Sequence, residues 1–172
     1  MSTVEGIRAS MNDGIAFDAF FRVEHRRLVA LATILCGDRE TGCDIAQEAL
    51  IRTYADWDNV ANLDRPAAWT RRVVVNLTRD YGRHRAVLRR RLPEVARQHD
   101  LSGAITDRPH DSEFWGAVAT LPDRQRTAVA LFYVGDRSVS EVAEAMGVRE
   151  GSVKTTLHQA RNNLRQLLSE DK

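Results

Sequence analysis

The sequence predicts an all-α protein: two small helical domains joined by a flexible linker, the C-terminal one containing a helix-turn-helix. Three observations predict it. Apolar residues recur at i, i+3 and i+4 over most of the chain, and no stretch alternates with period two for long. Aromatic residues make up only 6% and there are just 10 Gly and 4 Pro in 172 residues, which is poor in the turn and strand formers of an all-β fold. Between Arg85 and Asp111 the periodicity decays over about 25 residues, too long for a loop inside one compact domain. The expected division is therefore a flexible arm over 1–16, a first domain over 17–85, a linker over 86–110 and a second domain over 111–172.

In chain order, residues 1–14 carry Gly6, Asn12, Asp13 and Gly14 and little pattern, as a frayed arm would. Phe17, Phe20/Phe21, Leu28, Leu31 and Leu35 mark one face of a helix that stops near Gly37. A second helix starts between Glu40 and Asp44 and runs to about Trp57, with Ala46, Leu50, Tyr54 and Trp57 as its inner stripe. Its opposite face carries Asp44, Gln47, Glu48 and Arg52. By composition alone that face reads as solvated. Pro66 suits the first turn of a third helix, extending to about His84. Trp69, Val73 and Leu77 point inward by spacing, which favours core packing for Trp69 over a stacking role. Arg72, Asn76, Arg79, Asp80 and Arg83 gather on another face, where they can hold phosphates and reach exposed base edges, Asp80 pairing with neighbouring arginines. The Val73–Val75 run is short and flanked by arginines at helical spacing, and reads as helix.

The second domain opens with Phe114/Trp115, Val118 and Leu121, followed by a helix with Val129, Leu131/Phe132 and Tyr133 as core. After Gly135-Asp136 comes the clearest motif. Ser138 or Ser140 can cap a short helix whose Val139, Val142, Ala143 and Met146 share a face. Gly147 supplies the left-handed residue that ends it, Val148 fills the corner, and Val153, Leu157 and Ala160 form the inner face of a second helix. Ser152, Lys154, Thr155 and His158 lie outside. This is the helix-turn-helix register that reads a major groove; a plain helical hairpin is the competing reading. Leu164, Leu167 and Leu168 carry the last helix to a polar tail.

The net charge of +1 conceals a strong gradient. Residues 1–64 hold 6 basic and 11 acidic side chains, residues 65–99 hold 10 arginines against Asp80 and Glu94, and residues 100–172 hold 9 basic and 11 acidic. A local basic block in a near-neutral chain suggests a polyanion site. Cys36 and Cys43 form neither a disulfide framework nor a zinc site and are expected to be reduced. No cationic leader or 18-residue apolar run is present, which points to a cytoplasmic protein without membrane insertion. His25, His84, His99, His110 and His158 fall in no arrangement that reads as a catalytic triad or metal site, and there is no glycine-rich phosphate loop. Neither an enzyme, a cofactor nor a metal is expected.

The order of these parts resembles the extracytoplasmic-function (ECF) group of RNA polymerase sigma factors, in the sigma-70 family. The resemblance rests on Asp44-Ile-Ala-Gln-Glu48-Ala-Leu-Ile-Arg52, on Trp69 to Arg83, on Leu121-Pro-Asp-Arg-Gln-Arg126, on Glu141-Val-Ala-Glu-Ala-Met-Gly147, and on Gly151-Ser-Val-Lys154 with Ala160-Arg161. It implies that Asp44, Gln47, Glu48 and Arg52 dock on the largest subunits of core RNA polymerase. It implies that the loop Asn62, Leu63, Asp64, Arg65 and the helix bearing Arg72, Asn76, Arg79, Asp80 and Arg83 capture the melted −10 strand of promoter DNA, with a flipped base in a pocket. Arg149, Ser152, Lys154, Thr155, His158 and Arg161 become candidates for the −35 duplex. Thr156 and Gln159 stand where many members carry a basic residue, which leaves the −35 sequence open. The linker would thread polymerase, and control would fall to an anti-sigma factor, though no residue here identifies one. The alternative is a stand-alone helix-turn-helix regulator with an N-terminal dimerisation or effector domain.

Overall fold

The computed structural model describes residues 2–91, 112–134 and 137–170. Eight helices follow one another: α1 Ser2–Cys36, α2 Arg39–Ala55, α3 Trp57–Val60, α4 Pro66–Arg91, α5 Ser112–Thr120, α6 Asp123–Val134, α7 Val139–Met146 and α8 Glu150–Glu170. No strand occurs among the described residues.

Two boundaries differ from the sequence reading. Helix α1 starts at Ser2, through the stretch expected to be a flexible arm. Gly6, Asn12, Asp13 and Gly14 are weak helix formers, each costing at most about 1 kcal/mol, and no proline intervenes. Helix α4 passes His84 and carries the arginines up to Arg91, because arginine is a good helix former and the next breaker is Pro93. The rest of the expected linker, 92–111, lies outside the described residues.

Helices α1, α2 and α4 form the first layer, with α3 as a one-turn corner. Gly37 ends α1 at φ 76°, and Asp38 caps α2 by accepting from Thr41 N at 2.8 Å. Gly42 allows α1 and α2 to approach closely. A Cβ there would lie 2.7 Å from Thr33 Cα. Leu28, Leu31, Ala32, Ala46, Ala49, Leu50, Val74 and Val75 fill the interior. Thr53 and Thr70, both fully buried, lie 3.1 Å apart across α2 and α4, and their two hydroxyl protons are shared between this contact and the carbonyl oxygens of Ala49 and Pro66.

The inward stripes are rotated from the expected ones. Tyr54 is exposed, and Thr53 takes its place inside. On α4 the buried line is Ala68, Arg71, Val74 and Val75, leaving Trp69, Val73 and Leu77 half-buried. An amphipathic pattern fixes a face to within one residue of arc, and tertiary neighbours choose among the edges.

Helices α5 to α8 form the second unit around Val118, Leu121, Ala128, Val129, Leu131, Val142, Met146, Val153, Leu157, Ala160 and Leu164. Ser138 caps α7 with a full capping box through Glu141, and Gly147 ends it at φ 67°. Tyr133 and Val148 are exposed instead of filling the core and the corner. The two units do not stand apart. Helix α7 packs on α4 and α6 packs on α1, so one continuous apolar cluster runs through both.

Candidate polymerase and nucleic-acid interfaces

Helix α2 presents Asp44, Gln47 and Arg52 to solvent, with Glu48 half-exposed and paired to Arg52 at 2.8 Å. Spacing of i, i+3, i+4 and i+7 places Asp44, Gln47, Glu48 and Ile51 on one face. Ile51 is 55% exposed, an apolar centre within the polar row. The sequence reading missed it because it sought only polar contacts; an isoleucine outside the inner stripe was the available signal. Tyr54 stands exposed one turn on, its ring 4.9 Å from that of Phe17.

The loop before α4, the first turns of α4 and Glu144 of α7 border an open cleft of about 440 Å³ lined by Leu63, Asp64, Arg65, Ala68, Trp69, Arg72 and Glu144. Three of the sequence candidates, Asp64, Arg65 and Arg72, therefore line one cavity. Trp69 forms part of its wall, half-buried, so the indole is not confined to the core. Asn62 is exposed and spends its amide on Asp58 O at 2.6 Å, which ties down the loop. Asn76, Arg79, Asp80 and Arg83 continue along α4, all exposed, with Arg83 bonded to Asp80. These four extend the cleft as a polar track without lining it.

Arg149, just before α8, and Ser152, Lys154, Thr155, His158 and Arg161 on it are all exposed. Gly151, Lys154, Thr155 and His158 share a face by spacing. The Thr155 and Thr156 hydroxyls donate back to Gly151 O and Ser152 O at 3.0 and 2.8 Å. His158 meets Asn162 at 3.3 Å, and the Arg161 guanidinium lies 5.9 Å from the centre of the Phe132 ring. Arg161 thus sits at the margin of this exposed face, while Lys154 lies in its middle.

Two charged groups below these surfaces carry structure. Arg71, 4% exposed, donates to Glu24 at 2.6 Å. Burial lowers its proton affinity and Glu24 opposes that shift. On Glu141, burial raises the carboxyl, but hydrogen bonds from Ser138 and the nearby Arg137 outweigh it and hold the group below its ordinary value. Cys36 is pushed up to about 12 by burial and by Asp38, which makes it a protonated, unreactive thiol. No group of three or more potential metal ligands occurs among the described residues.

Residues 20–88 match the Sigma-70 region 2 family and residues 112–164 match Sigma-70, region 4. The chain is 30% identical over 158 residues to the RNA polymerase sigma-E factor of Streptomyces avermitilis, covering 90% of this chain and 86% of that one. The chain belongs to the sigma-70 family.

It is an RNA polymerase sigma factor, a non-catalytic subunit that acts by binding polymerase and promoter DNA. It is also 25% identical over 175 residues to the ECF RNA polymerase sigma factor SigW of Bacillus subtilis, covering 91% of this chain and 90% of that one. Its fold matches that of the sigma factor RpoE from Bartonella quintana, solved in complex with the anti-sigma factor NepR. That match has a TM-score of 0.75 at 24% identity, over 91% of this chain and 99% of that one. The ECF resemblance read from the motifs therefore holds, and the stand-alone regulator has no support. No helix among the described residues is long and apolar enough to cross a membrane.

Proposed function

We propose that the three surfaces divide the work of this sigma factor. The α2 face of Asp44, Gln47, Glu48 and Arg52 docks on core polymerase, with Ile51 as its apolar centre. A polar row on a rigid helix around one exposed aliphatic residue has the composition of a protein interface, in which a desolvated anchor is ringed by polar contacts. The cleft of Asp64, Arg65, Trp69 and Arg72 takes a base of the opened −10 strand, and Asn62, Asn76, Arg79, Asp80 and Arg83 serve the flanking loop and backbone. Extruding a base costs a few kcal/mol, which stacking on an aromatic ring and phosphate contacts offset. Arg149, Ser152, Lys154, Thr155, His158 and Arg161 meet the −35 duplex.

The observation that carries this reading is the cleft itself. The loop and the helix singled out in the sequence for strand capture border one open cleft large enough for a nucleobase, with an indole and two guanidiniums in its wall. Residues 17–85 and 111–172 would be the two functional units, with 86–110 as the connector within polymerase, and the protein works in the cytoplasm. An anti-sigma factor is the proposed source of control, since the similar RpoE was solved bound to one. A permanganate footprint of the complex with core enzyme on promoter DNA tests the assignment. Wild type should make −10 thymines reactive, Arg72→Ala should reduce that opening at unchanged polymerase affinity, and equal opening by the variant would refute the role of the cleft.

A further inference from the structure

The outer face of α8 carries three polar side chains linked one turn apart. Arg165 donates through Nη1 to Asn162 Oδ1 at 3.2 Å, and the Asn162 amide nitrogen lies 3.3 Å from His158 Nε2. All three residues are exposed, and their spacing of i, i+4 and i+7 puts them in line with Lys154. A guanidinium has only donors, so Arg165 requires the amide oxygen of Asn162 on its side. The amide NH2 group is thereby turned towards His158. That group can only donate, so His158 Nε2 accepts and the ring proton sits on Nδ1. A ring protonated on both nitrogens would set two donors against each other. Nδ1–H is then the remaining polar group of the imidazole. Thr155, beside it on the same face, donates its hydroxyl proton to Gly151 O at 3.0 Å and can offer a ligand only lone pairs and a methyl group. Lys154 and His158 are thus donors on this face, and Thr155 is not.

We propose that Arg165 and Asn162 are positioning residues that hold His158 in one tautomer, and that His158 donates from Nδ1 to a purine N7 at one base pair of the −35 duplex. The proposal rests on the assignment of the α8 face to that duplex. The base edges of the major groove make the choice. Guanine and adenine both present N7 as an acceptor, near the rim where a short side chain reaches, whereas cytosine presents an amino donor. The opposite tautomer would turn Nδ1 into an acceptor and favour the amino groups of cytosine and adenine. The direction of the Asn162 amide therefore decides between two opposed base preferences. Neither Asn162 nor Arg165 has to touch DNA to do so, and Arg165 acts from about two helical turns away.

Two readouts test it. The first is the imidazole nitrogen NMR spectrum of the full chain, taken at about pH 8.5, above the ordinary histidine range. The His158 signals are assigned by their loss in His158→Gln. Wild type should show the proton on Nδ1, and Asn162→Ala should shift it towards Nε2, the form that an unrestrained histidine favours. A proton on Nε2 in wild type, or an unchanged spectrum in Asn162→Ala, overturns the positioning role. The second readout uses holoenzyme assembled from the full chain and core polymerase. Duplexes with a randomised −35 region are selected by binding, and 7-deazapurines are then placed one at a time in the selected sequence. One position should weaken wild-type binding by roughly threefold to tenfold, the loss of a single hydrogen bond. His158→Ala should abolish that sensitivity and Asn162→Ala should reduce it. No sensitive position, or one that survives His158→Ala, overturns the proposal. Lys154→Ala separates the two readings. If it and His158→Ala both leave the selected sequences unchanged, the assignment of α8 to the −35 duplex fails as well. If Lys154→Ala alters them and His158→Ala does not, that assignment stands and the histidine donor is wrong.

Discussion

Replacing Glu24 by alanine is expected to destabilise the protein severely, because of what it leaves behind. Glu24 and Arg71 have side-chain exposures of 5% and 4% and are joined at 2.6 Å. Removing one partner of such a pair leaves a buried charge without compensation, which costs about 3–5 kcal/mol. That compares with a total stability of about 5–15 kcal/mol for an ordinary domain. It should lower the melting temperature by roughly 10 °C in a chain of this size. The pair Asp18 and Arg22 provides the control, with the same chemistry and a bond of 2.9 Å but side-chain exposures of 56% and 77%. Asp18→Ala should cost less than about 1 kcal/mol. Glu24→Leu combined with Arg71→Met removes both charges of this pair and should recover part of the loss, since it avoids the desolvation cost of Arg71 while Arg137 keeps only Glu141 as its carboxylate partner. Urea unfolding of the four proteins measures all of this. A Glu24→Ala cost below about 1 kcal/mol would show that Arg71 reaches water, and the account of the buried pair would be wrong.

Three further outcomes are expected. Gly42→Ala should destabilise by about 1–3 kcal/mol despite alanine's better helix propensity, because the added Cβ meets Thr33 backbone atoms at 2.7 Å; increased stability in urea would contradict that contact. The Glu141 carboxyl is depressed in the folded state, so its contribution is present above the ordinary glutamate range and lost as pH falls through the lower folded value. The melting-temperature gap between wild type and Glu141→Gln should accordingly shrink as pH falls below the ordinary glutamate range; a constant gap would remove the linkage. Glu48→Arg and Ile51→Asp should each abolish co-elution with core polymerase while leaving the helical circular dichroism intact, and normal co-elution of either variant would exclude that residue from the interface.

The local half of this structure was legible in the sequence. Ser138, Glu141 and Gly147 specify the ends of α7 through hydrogen bonds within three or four residues, and Val153, Leu157 and Ala160 specify the buried face of α8. Such signals depend on neighbours a turn apart and survive in a one-dimensional string. The polar candidate residues of α2, α4 and α8 singled out for interfaces were legible for the same reason, and all of them are at the surface or its edge. Contacts between distant residues were not legible. Arg71 sits among exposed arginines in sequence, yet it turns inward because Glu24 awaits it 47 residues away. Tyr54 and Tyr133 fit apolar stripes, but their neighbours take the interior and leave them outside. The docking of α7 on the cleft has no sequence signature at all, because the contacts of Arg65 with Ser140 and Glu144 span 75 and 79 residues.

The central claim is that the chain gives RNA polymerase its promoter choice and has no independent role on duplex DNA. Purified core polymerase, with and without the full chain, transcribing DNA from the organism's own upstream regions tests this most directly. The account predicts a one-to-one complex with core enzyme and defined start sites that appear only when the chain is present. Failure to associate with core polymerase, together with nanomolar binding of the chain alone to promoter duplex, would contradict it.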